Sequence, residues 1–570
     1  MNNNSNNIND KFLKLIEASM ALANEKNVEN LLENILKIAK KISNADGGTL
    51  YVTRDDKKLH FSIILNSSLD IHLGGSTGRV ITYPALKMVD EETGTFNRKN
   101  AAAYAAINKE TLNIADIYTS TNFDFQGVKA FDAANNYKTK SMLILPMKNR
   151  EGKVIAVIQL INAMDENKNL IPFDNVTQTV VEALASQATI VLEFQNLLEE
   201  QKRFIESFVD IITTSIEKKS FHTNAHCKRV PILTRMLTAA ASMIDTGALR
   251  EFELSDEQWY ALHIGSWLHD CGKLNISGNV LAKSSKLECM YNRIHEIRTR
   301  FEVLIRDAEI EYLKKRLESD EDQIMLLDEF NNKVTKYKSD FAFIAYCNTG
   351  EEPLSEIDKL KLKEIAQYTF TRNLDNTKGL AREELSLYGS EKKAVPTQEH
   401  ILQNAMHHMQ GRLNYGELYN LLIDIGTLTP EEKQIINEHV ELSMDIVGRI
   451  PFPNDIKADI TDYVANHHER LDGSGYPRGL KGNDISIPAR IIAIADTFEA
   501  LTATDRPYKS AKSLSQTLDI MKKECEKGTL DYDVFELFIT SGVMMEYAKD
   551  YMQREQIDID DFSKYLRNHQ

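Results

Sequence analysis

Apolar and polar residues alternate in four runs within the first third of the chain: GGTLYVT, LHFSIIL, KSMLILPM and GKVIAVIQLIN. Alternation with a period of two is typical of strands that bury one face. A turn at residues 149–152 is expected to join the last two runs as an antiparallel hairpin. Two runs with helical periodicity, FLKLIEASMALA and VENLLENILKIAKKI, precede the strands. The pattern predicts an α/β unit, an antiparallel sheet with helices, over residues 11–175.

Residues 176–215 follow a different rule, because their apolar residues recur every seven positions. The repeated positions are Leu184, Val191, Leu198, Ile205 and Ile212, with Phe194 and Phe208 three residues after two of them and Gln187 and Gln201 at the equivalent places. Heptad spacing predicts a long helix with one apolar seam. The helix either pairs with a second copy as a parallel coiled coil, which makes the chain a homodimer, or lies on its own domain as a single amphipathic helix.

From residue 206 to residue 540 the pattern is helical, and residues 541–570 are predicted to form a C-terminal helical extension. Residues 284–424 read as a large helical insert rich in Lys, Glu and Leu. This insert carries His400, His407 and His408, which we interpret as surface or packing residues because no carboxylates accompany them at helical spacing. The chain is therefore predicted to have several domains: an α/β unit, a linker helix and an all-α unit with an insert.

The amino-acid composition limits the kinds of molecule that the protein is expected to bind. A formal net charge of -16 argues against binding to a nucleic-acid polymer, although a small phosphorylated ligand stays compatible with it. The start MNNNSNNINDKF does not have the form of a secretory signal, and no apolar run approaches the ~18 residues that a membrane helix needs. Five cysteines without C-x-x-C spacing fit a reducing compartment. We expect a cytoplasmic protein without a membrane partner.

Imidazoles and carboxylates recur along the helical part of the chain. They stand at His226, at the dipeptide His269 and Asp270, at His439, at the dipeptide His467 and His468, and at Asp496. These residue types suit divalent transition metals. An aspartate can bridge two ions through its two oxygens, so Asp270 is the natural bridging ligand. Asp496 lies in an apolar helix, where an unpaired carboxylate would be costly to bury.

The local patterns around these residues predict where they lie. His222 precedes His226 by four residues and is expected to share its helix face. His269 and Asp270 are expected to end an apolar helix, with Gly272 as its stop. The segment LTPEEKQIINEHVELSMDIV places His439 in the interior of a helix. Glu469 is a candidate acceptor for the second nitrogen of a ligand histidine.

The stretch NHHERLDGSGYPRGLKG, with the ordered ligands before and after it, resembles the HD-GYP family of phosphohydrolases. The resemblance implies hydrolysis of cyclic di-GMP to the linear dinucleotide pGpG, and in some members to GMP, at two or three iron or manganese ions. It implies that the metal ligands are His226, His269, Asp270, His439, His467, His468 and Asp496. Members with three ions carry a glutamate four residues before the first histidine, where this chain has His222. We therefore expect two ions, with His222 as the candidate ligand for a third.

The resemblance also implies roles for residues that do not bind metal. Lys273 corresponds to the family's lysine, and Gly475, Tyr476 and Pro477 are expected to shape the rim of the active site. Paired divalent ions activate water and polarise phosphoryl oxygens, so Asp270 and Lys273 are the predicted catalytic residues. Arg506 and Lys509 either hold the second phosphate or are surface cations. Two alternatives stay open: cyclic GMP-AMP as substrate, and a non-catalytic module that binds a cyclic dinucleotide.

The N-terminal unit resembles a GAF domain of the kind found in cyclic nucleotide phosphodiesterases. The resemblance rests on the two-strand run SMLILPMKNREGKVIAVIQLIN, on Tyr137 before it and on Phe173 and Asp174 after it. It implies a pocket between sheet and helices, walled by residues 114–137, for a small molecule or a cyclic nucleotide. The alternative is a ligand-free scaffold or dimerisation domain.

Overall fold

The computed structural model of the chain describes residues 27–54, 56–89, 94–219, 226–288, 291–318, 323–382, 394–403, 407–409, 412–414, 416–504 and 511–567. It also describes isolated positions before residue 27 and at residue 385. The contacts divide the chain into an N-terminal unit, Met1–Ile205, and a C-terminal unit, Glu206–Gln570. Among the described helices, none combines the length and apolar character that crossing a membrane requires.

An antiparallel sheet forms the centre of the N-terminal unit. Its strands are β1 (Ala45–Thr53), β2 (Lys58–Asn66), β3 (Ile71–Gly74), β4 (Leu86–Lys87), β5 (Leu112–Ile114), β6 (Met142–Lys148), β7 (Val154–Met164) and β8 (Leu170–Ile171). The strand order is β3-β2-β1-β7-β6-β5, with β4 paired to β2 and β8 paired to β7. The four runs with alternating polarity are β1, β2, β6 and β7, so the predicted strands are confirmed.

Helices cover both faces of this sheet. They are α1 (Val28–Ser43), α2 (Ala101–Asn108), α3 (Gln126–Asn135) and the first part of α4 (Asn175–Lys219). Leu50 belongs to the core that α1 and α4 share with the sheet, whereas its neighbour Tyr51 belongs to the core under α2. Adjacent residues of one strand thus serve opposite faces, as the alternation requires. The hairpin between β6 and β7 closes where the Gly152 N–H donates to the Asn149 carbonyl.

The C-terminal unit is mainly helical. Its helices are α5 (His226–Ala241), α6 (Asp256–Leu268), α7 (Gly278–Leu281), α8 (Ile294–Glu318), α9 (Gln323–Thr349), α10 (Glu356–Ile365), α11 (Glu417–Leu421), α12 (Pro430–Asn437), α13 (His439–Arg449), α14 (Asn454–Asn466), α15 (Ile487–Thr502), α16 (Leu514–Glu526), α17 (Tyr532–Thr540) and α18 (Val543–Tyr551). Beyond α18 the extension continues as two 3-10 turns, Arg554–Gln556 and Ser563–Tyr565, rather than as further α-helix.

The insert has a hydrophobic core of its own, to which Phe301, Ile344 and Leu362 contribute. It is not purely helical, because it also contains two small antiparallel pairs. These are β9 (Thr369–Arg372) with β10 (Thr397–His400), and β11 (His407–Met409) with β12 (Arg412–Asn414). His400 is exposed and its ring makes a 3.1 Å hydrogen bond to the Ala366 carbonyl, which fits the predicted surface or packing role.

Two local predictions around the ligands were wrong. Gly272 does not end a helix in the left-handed conformation but lies in a 3-10 turn, Cys271–Asn275, where a Cβ would be 2.0 Å from the His439 carbonyl oxygen. This glycine is needed for close packing of the turn on α13. His439 is the first residue of α13 rather than an interior residue, because Glu438 separates α12 from α13.

Candidate metal centre

The predicted ligands come from the ends of helices and one helix interior. His226 begins α5, His269 and Asp270 follow α6, His439 begins α13, and His467 and His468 follow α14. Asp496 lies within α15. Except for the more accessible His468 and Asp496, these residues are at most 2% exposed. The fold therefore removes this set of imidazoles and carboxylates from solvent, which is costly unless the groups find partners.

The ligand atoms form two groups that share one residue. His226, His269 and Asp270 lie within 4.8 Å of one another, and so do Asp270, His439, His467 and His468. Asp270 Oδ2 is 3.4 Å from His269 Nε2 and 3.6 Å from His226 Nε2. Asp270 Oδ1 is 3.2 Å from His439 Nε2. Each oxygen of Asp270 thus faces a different group, which is the arrangement of a bridging carboxylate.

The backbone fixes which nitrogen of three histidines faces the centre. Nδ1 of His269, His439 and His467 bonds to the carbonyl three residues earlier in each case, at 2.7, 2.6 and 2.7 Å. A carbonyl only accepts, so Nδ1 carries the proton and Nε2 keeps its lone pair. The three Nε2 atoms and Asp270 Oδ1 are buried without a hydrogen-bond partner. Buried lone pairs that converge in this way fit a divalent cation.

A carboxylate that the sequence interpretation missed holds His226. Glu499 Oε2 bonds to His226 Nδ1, and Glu499 Oε1 accepts a 2.8 Å hydrogen bond from Arg229 Nε. On the other side of the ring, His226 Nε2 is 3.1 Å from Asp496 Oδ1. Glu499 lies three residues after Asp496 in the same apolar helix, so the cost of burying a carboxylate, which drew attention to Asp496, applies equally to Glu499.

Glu469, predicted to support a ligand histidine, has a different role. Its two carboxylate oxygens accept the backbone N–H groups of Arg478 at 2.7 Å and Leu480 at 2.9 Å. It therefore anchors the loop that contains Gly475, Tyr476 and Pro477. The histidines use backbone carbonyls and Glu499 instead, which cannot be read from residue types alone.

Charge states at the centre suit metal binding. Burial and the neighbouring histidines hold the pKa of His467 well below its usual value, and burial lowers the pKa of His468 to about 3. Both rings are therefore neutral at pH 7. Burial raises the pKa of Asp270, but Lys273 and His269 outweigh it and hold that carboxyl ionised. Neutral imidazoles beside an ionised carboxylate are the forms that bind cations.

His226 differs from these histidines. Burial lowers its pKa, but Glu499, Asp270 and Asp496 together raise it well above the usual value. A cation bound at His226 Nε2 would therefore displace a proton.

Lys273 adds positive charge to the centre. Its Nζ donates a 2.6 Å hydrogen bond to Asp270 Oδ2, and its side chain is 18% exposed. Burial lowers the pKa of Lys273, but Asp270 raises it further, so the ammonium form persists. The other predicted residues of the site, Arg506, Lys509 and His222, lie outside the described residues.

We expect Glu499→Gln to weaken metal binding at the group of His226 and His269. In glutamine one of the two carboxylate oxygens is replaced by an NH₂ donor, so either His226 or Arg229 loses the acceptor that it faces. Loss of such an orienting partner typically costs about 10- to 100-fold in metal affinity. Competition with a chelating dye measures the Mn²⁺ affinity, and Glu524→Gln, a partly exposed position on α16, is the control. Unchanged affinity would show that Glu499 does not support the site.

Comparison with known protein families finds a match for two separate segments of the chain. Residues 27–192 match the GAF domain family and residues 391–534 match the HD domain family. The chain carries a GAF domain and an HD domain. The matched HD segment includes His439, His467, His468 and Asp496.

Relatives of the chain have names that describe cyclic dinucleotide chemistry. The chain is 52% identical over 148 residues to "3'3'-cGAMP-specific phosphodiesterase 1" of Vibrio cholerae, covering 26% of this chain and 33% of that protein. It is 43% identical over 96 residues to "Cyclic di-GMP phosphodiesterase" of Thermotoga maritima, covering 17% of this chain and 25% of that protein. The chain thus spans a third or less of the length of these relatives.

The GAF domain contains a cavity of about 620 Å³. Sheet residues such as Tyr51 and Phe61 line it, and Phe125 and Phe131 come from the segment 114–137 that the sequence predicted as a pocket wall. Among the described lining residues, Lys99 is the one with a positive charge. The described lining is mainly apolar and includes five aromatic rings, which suits a planar ligand.

Proposed function

We propose that the HD domain is a metal-dependent phosphodiesterase of the HD-GYP type that hydrolyses a cyclic dinucleotide. The observation that carries the proposal is Asp270, whose two oxygens face two separate groups of imidazole nitrogens. Two divalent ions bridged by a carboxylate are the usual device for hydrolysing phosphate esters. The relatives, whose names describe phosphodiesterases, support the same reaction.

The residues of the site have distinct roles in the proposed reaction. His226, His269, Asp270 and Asp496 would hold one ion, and Asp270, His439, His467 and His468 the other, with iron or manganese as the expected metals. Divalent ions, when bound, supply Lewis acidity and lower the pKa of water toward neutrality, which makes water a better nucleophile. The Lys273 ammonium lies beside Asp270, where it stabilises negative charge on the phosphoryl group under attack. Water attacks the phosphorus atom, so that a new P–O bond forms while the bond to a ribose 3′ oxygen breaks. That oxygen leaves with a proton from the water, and the ring of the dinucleotide opens.

Two substrates of the same class are candidates. Cyclic di-GMP, converted to linear pGpG and onward to GMP, follows from the resemblance to the HD-GYP family. Cyclic GMP-AMP is supported by the relative that is 52% identical, whose name specifies 3'3'-cGAMP. The two differ by one purine, so the described metal ligands serve both equally.

The test is anaerobic purification, reloading with Fe²⁺ or Mn²⁺, metal analysis and chromatography of the products from each dinucleotide. We expect the loaded protein to release a linear dinucleotide and the chelated protein to release none, with activity restored when metal returns. The substrate hydrolysed with the higher kcat/KM identifies the preference. Protein that holds two ions and binds either dinucleotide without turnover would instead support the non-catalytic module.

We also propose that α4 pairs two copies of the chain. Its exposed apolar residues follow the predicted seam only in part, because Leu184 and Ile205 are buried within a single chain whereas Phe194, Leu198 and Phe208 are exposed. Six exposed apolar residues form one stripe, Ile190, Phe194, Leu197, Phe204, Phe208 and Ile211, and Leu198 is exposed beside it. Together with Gln201, the residues of the stripe are spaced alternately by four and three positions. The stripe keeps the predicted positions 194, 201 and 208, and it uses the residues just before the predicted positions 191, 198, 205 and 212. Heptad spacing in an exposed stripe favours a second copy of the same helix.

Charge within this stripe should separate the two copies. Phe194 and Phe204 are 57% and 71% exposed, so Phe194→Glu with Phe204→Glu leaves the single chain intact and places carboxylates in the seam. We expect light scattering to give a dimer for the natural chain and a monomer for this variant. Glu199→Lys, exposed on the opposite face of the helix, should stay dimeric. A natural chain that is monomeric at about 10 µM would rule out the pairing.

The GAF cavity supports a regulatory ligand. The described lining offers aromatic rings and one cation, Lys99, which could pair with a single phosphate of a cyclic nucleotide. Calorimetric titration with cyclic GMP and cyclic AMP tests this, with Lys99→Ala as the comparison. Binding that Lys99→Ala does not weaken would favour an uncharged planar ligand instead.

A further inference from the structure

His468 differs from the other four histidines in how its ring is held. Nδ1 of His269, His439 and His467 bonds to a backbone carbonyl, and Nδ1 of His226 bonds to Glu499. Among the described residues, no hydrogen bond reaches either ring nitrogen of His468, although it stands in the same ligand group as His439 and His467. Something other than a hydrogen bond has to fix its orientation.

Ring contacts surround His468. The ring of Tyr476 lies 5.0 Å away with an interplanar angle of 31°. His467 lies 4.1 Å away at 42°, and His439 lies 5.1 Å away at 83°. His439 and His467 are themselves ligands fixed by the backbone, so Tyr476 is the part of this enclosure that comes from outside the ligand set. A tilted ring at this separation restricts rotation of the imidazole about its side-chain bonds.

The loop that carries Tyr476 is held firmly against His468. The Tyr476 N–H donates to the His468 carbonyl at 3.3 Å. A Cβ at Gly475 would lie 2.4 Å from the Arg470 nitrogen and 2.6 Å from the His468 carbonyl oxygen, so only glycine allows the loop to approach this closely. Glu469 anchors the far side of the loop by accepting two backbone N–H groups. Each device brings the tyrosine ring to the histidine.

We infer that Tyr476 is a positioning residue of the metal centre, which aligns the His468 ring by stacking in the way that hydrogen bonds align the other histidines. The inference rests on the proposed function, because it assigns His468 to a bound ion. It also changes the expected role of the Gly475, Tyr476 and Pro477 loop. The loop acts on the ion of Asp270, His439, His467 and His468, in addition to forming the rim of the site.

The experiment compares Tyr476→Phe, which keeps the ring, with Tyr476→Leu, which removes it. Equilibrium dialysis with Mn²⁺ followed by elemental analysis gives the number of ions and their affinities. We expect Tyr476→Phe to bind two ions as the natural chain does. We expect Tyr476→Leu to bind one ion normally and the other about 10- to 100-fold more weakly, the usual effect of losing an orienting partner. Tyr551→Leu, which removes a tyrosine that stacks on Tyr547 in α18, is the matched control and should bind as the natural chain does.

Thermal unfolding of the metal-free variants separates positioning from folding. If Tyr476→Leu lowers the midpoint of the metal-free protein, Tyr476→Met replaces it as a variant that fills the space without a ring. Two ions bound with unchanged affinity in the ring-less variant would overturn the inference. Equal weakening in the phenylalanine variant would also overturn it, because the hydroxyl would then be the active part. A natural chain that holds fewer than two ions would overturn the proposed metal centre itself, and the inference with it.

Discussion

Asp270→Asn should abolish hydrolysis of the cyclic dinucleotide while leaving the fold intact. Asparagine has nearly the shape of aspartate but offers one neutral oxygen, so one ligand group loses its oxygen donor and the other keeps only an uncharged one. Because Asp270 is the residue shared by both groups, its loss removes the bridge rather than one ligand among several. Groups that act as a unit lose most of their effect together, and we expect kcat to fall by at least about 10³-fold.

Three measurements define this outcome. Initial rates on metal-loaded protein give the loss of kcat, elemental analysis should give fewer than two ions, and thermal unfolding should show that the GAF domain still folds. Asp445→Asn is the matched control, because Asp445 is an exposed aspartate on α13 that pairs with Arg449 away from the ligands. A rate near normal in Asp270→Asn, with two ions still bound, would refute the two-ion mechanism.

Much of the N-terminal fold could be predicted because its strands alternate strictly. Leu50 and Tyr51 bury themselves on opposite faces of β1, and only a period of two allows this. The seam of α4 was harder to place. Its residues at 190 and 191 are both apolar, and the sequence does not say which of two adjacent stripes the chain's own core uses. In the structure Leu184 and Ile205 of one stripe are buried, whereas Ile190, Phe204 and Ile211 of the other are exposed.

The ligand set could be predicted because few residue types bind transition metals and they stand in a recognisable order. The groups that orient the ligands could not be predicted in the same way. Backbone carbonyls at Ser266, Ile436 and Val464 hold three of the rings, and every residue has a carbonyl, so nothing in the residue types marks these. Glu499 was detectable as a buried carboxylate, whereas its pairing with His226, 273 positions earlier, depends on the fold.

Gly272 illustrates the same limit. A glycine shortly after an apolar helix commonly ends the helix in the left-handed conformation, and local sequence gave no reason to expect otherwise. Its real constraint comes from α13, which contributes the His439 carbonyl and the Ser443 nitrogen to the walls around it. The Gly272 N–H also donates to Ser443 Oγ at 2.7 Å. The glycine is thus a contact between distant segments.

Gly272→Ala should therefore disrupt both stability and metal binding. The added Cβ would lie 2.0 Å from the His439 carbonyl oxygen and 2.7 Å from the Ser443 nitrogen, and both are backbone atoms that cannot rotate away. Overpacking of a tight core typically costs about 1–3 kcal/mol, and a backbone clash at this distance should reach at least the upper end of that range. The turn and α13 must separate, which moves Asp270 away from His439 and opens the group of Asp270, His439, His467 and His468.

Urea unfolding of the metal-free protein measures the first effect, and Mn²⁺ titration measures the second. Gly278→Ala is the control: Gly278 begins α7 six residues later, and a Cβ there would meet nothing within 4 Å. Because alanine is the better helix former, Gly278→Ala should leave stability unchanged or raise it slightly. If Gly272→Ala matched the control in both measurements, the close packing of the turn on α13 would not be what holds Asp270 and His439 together.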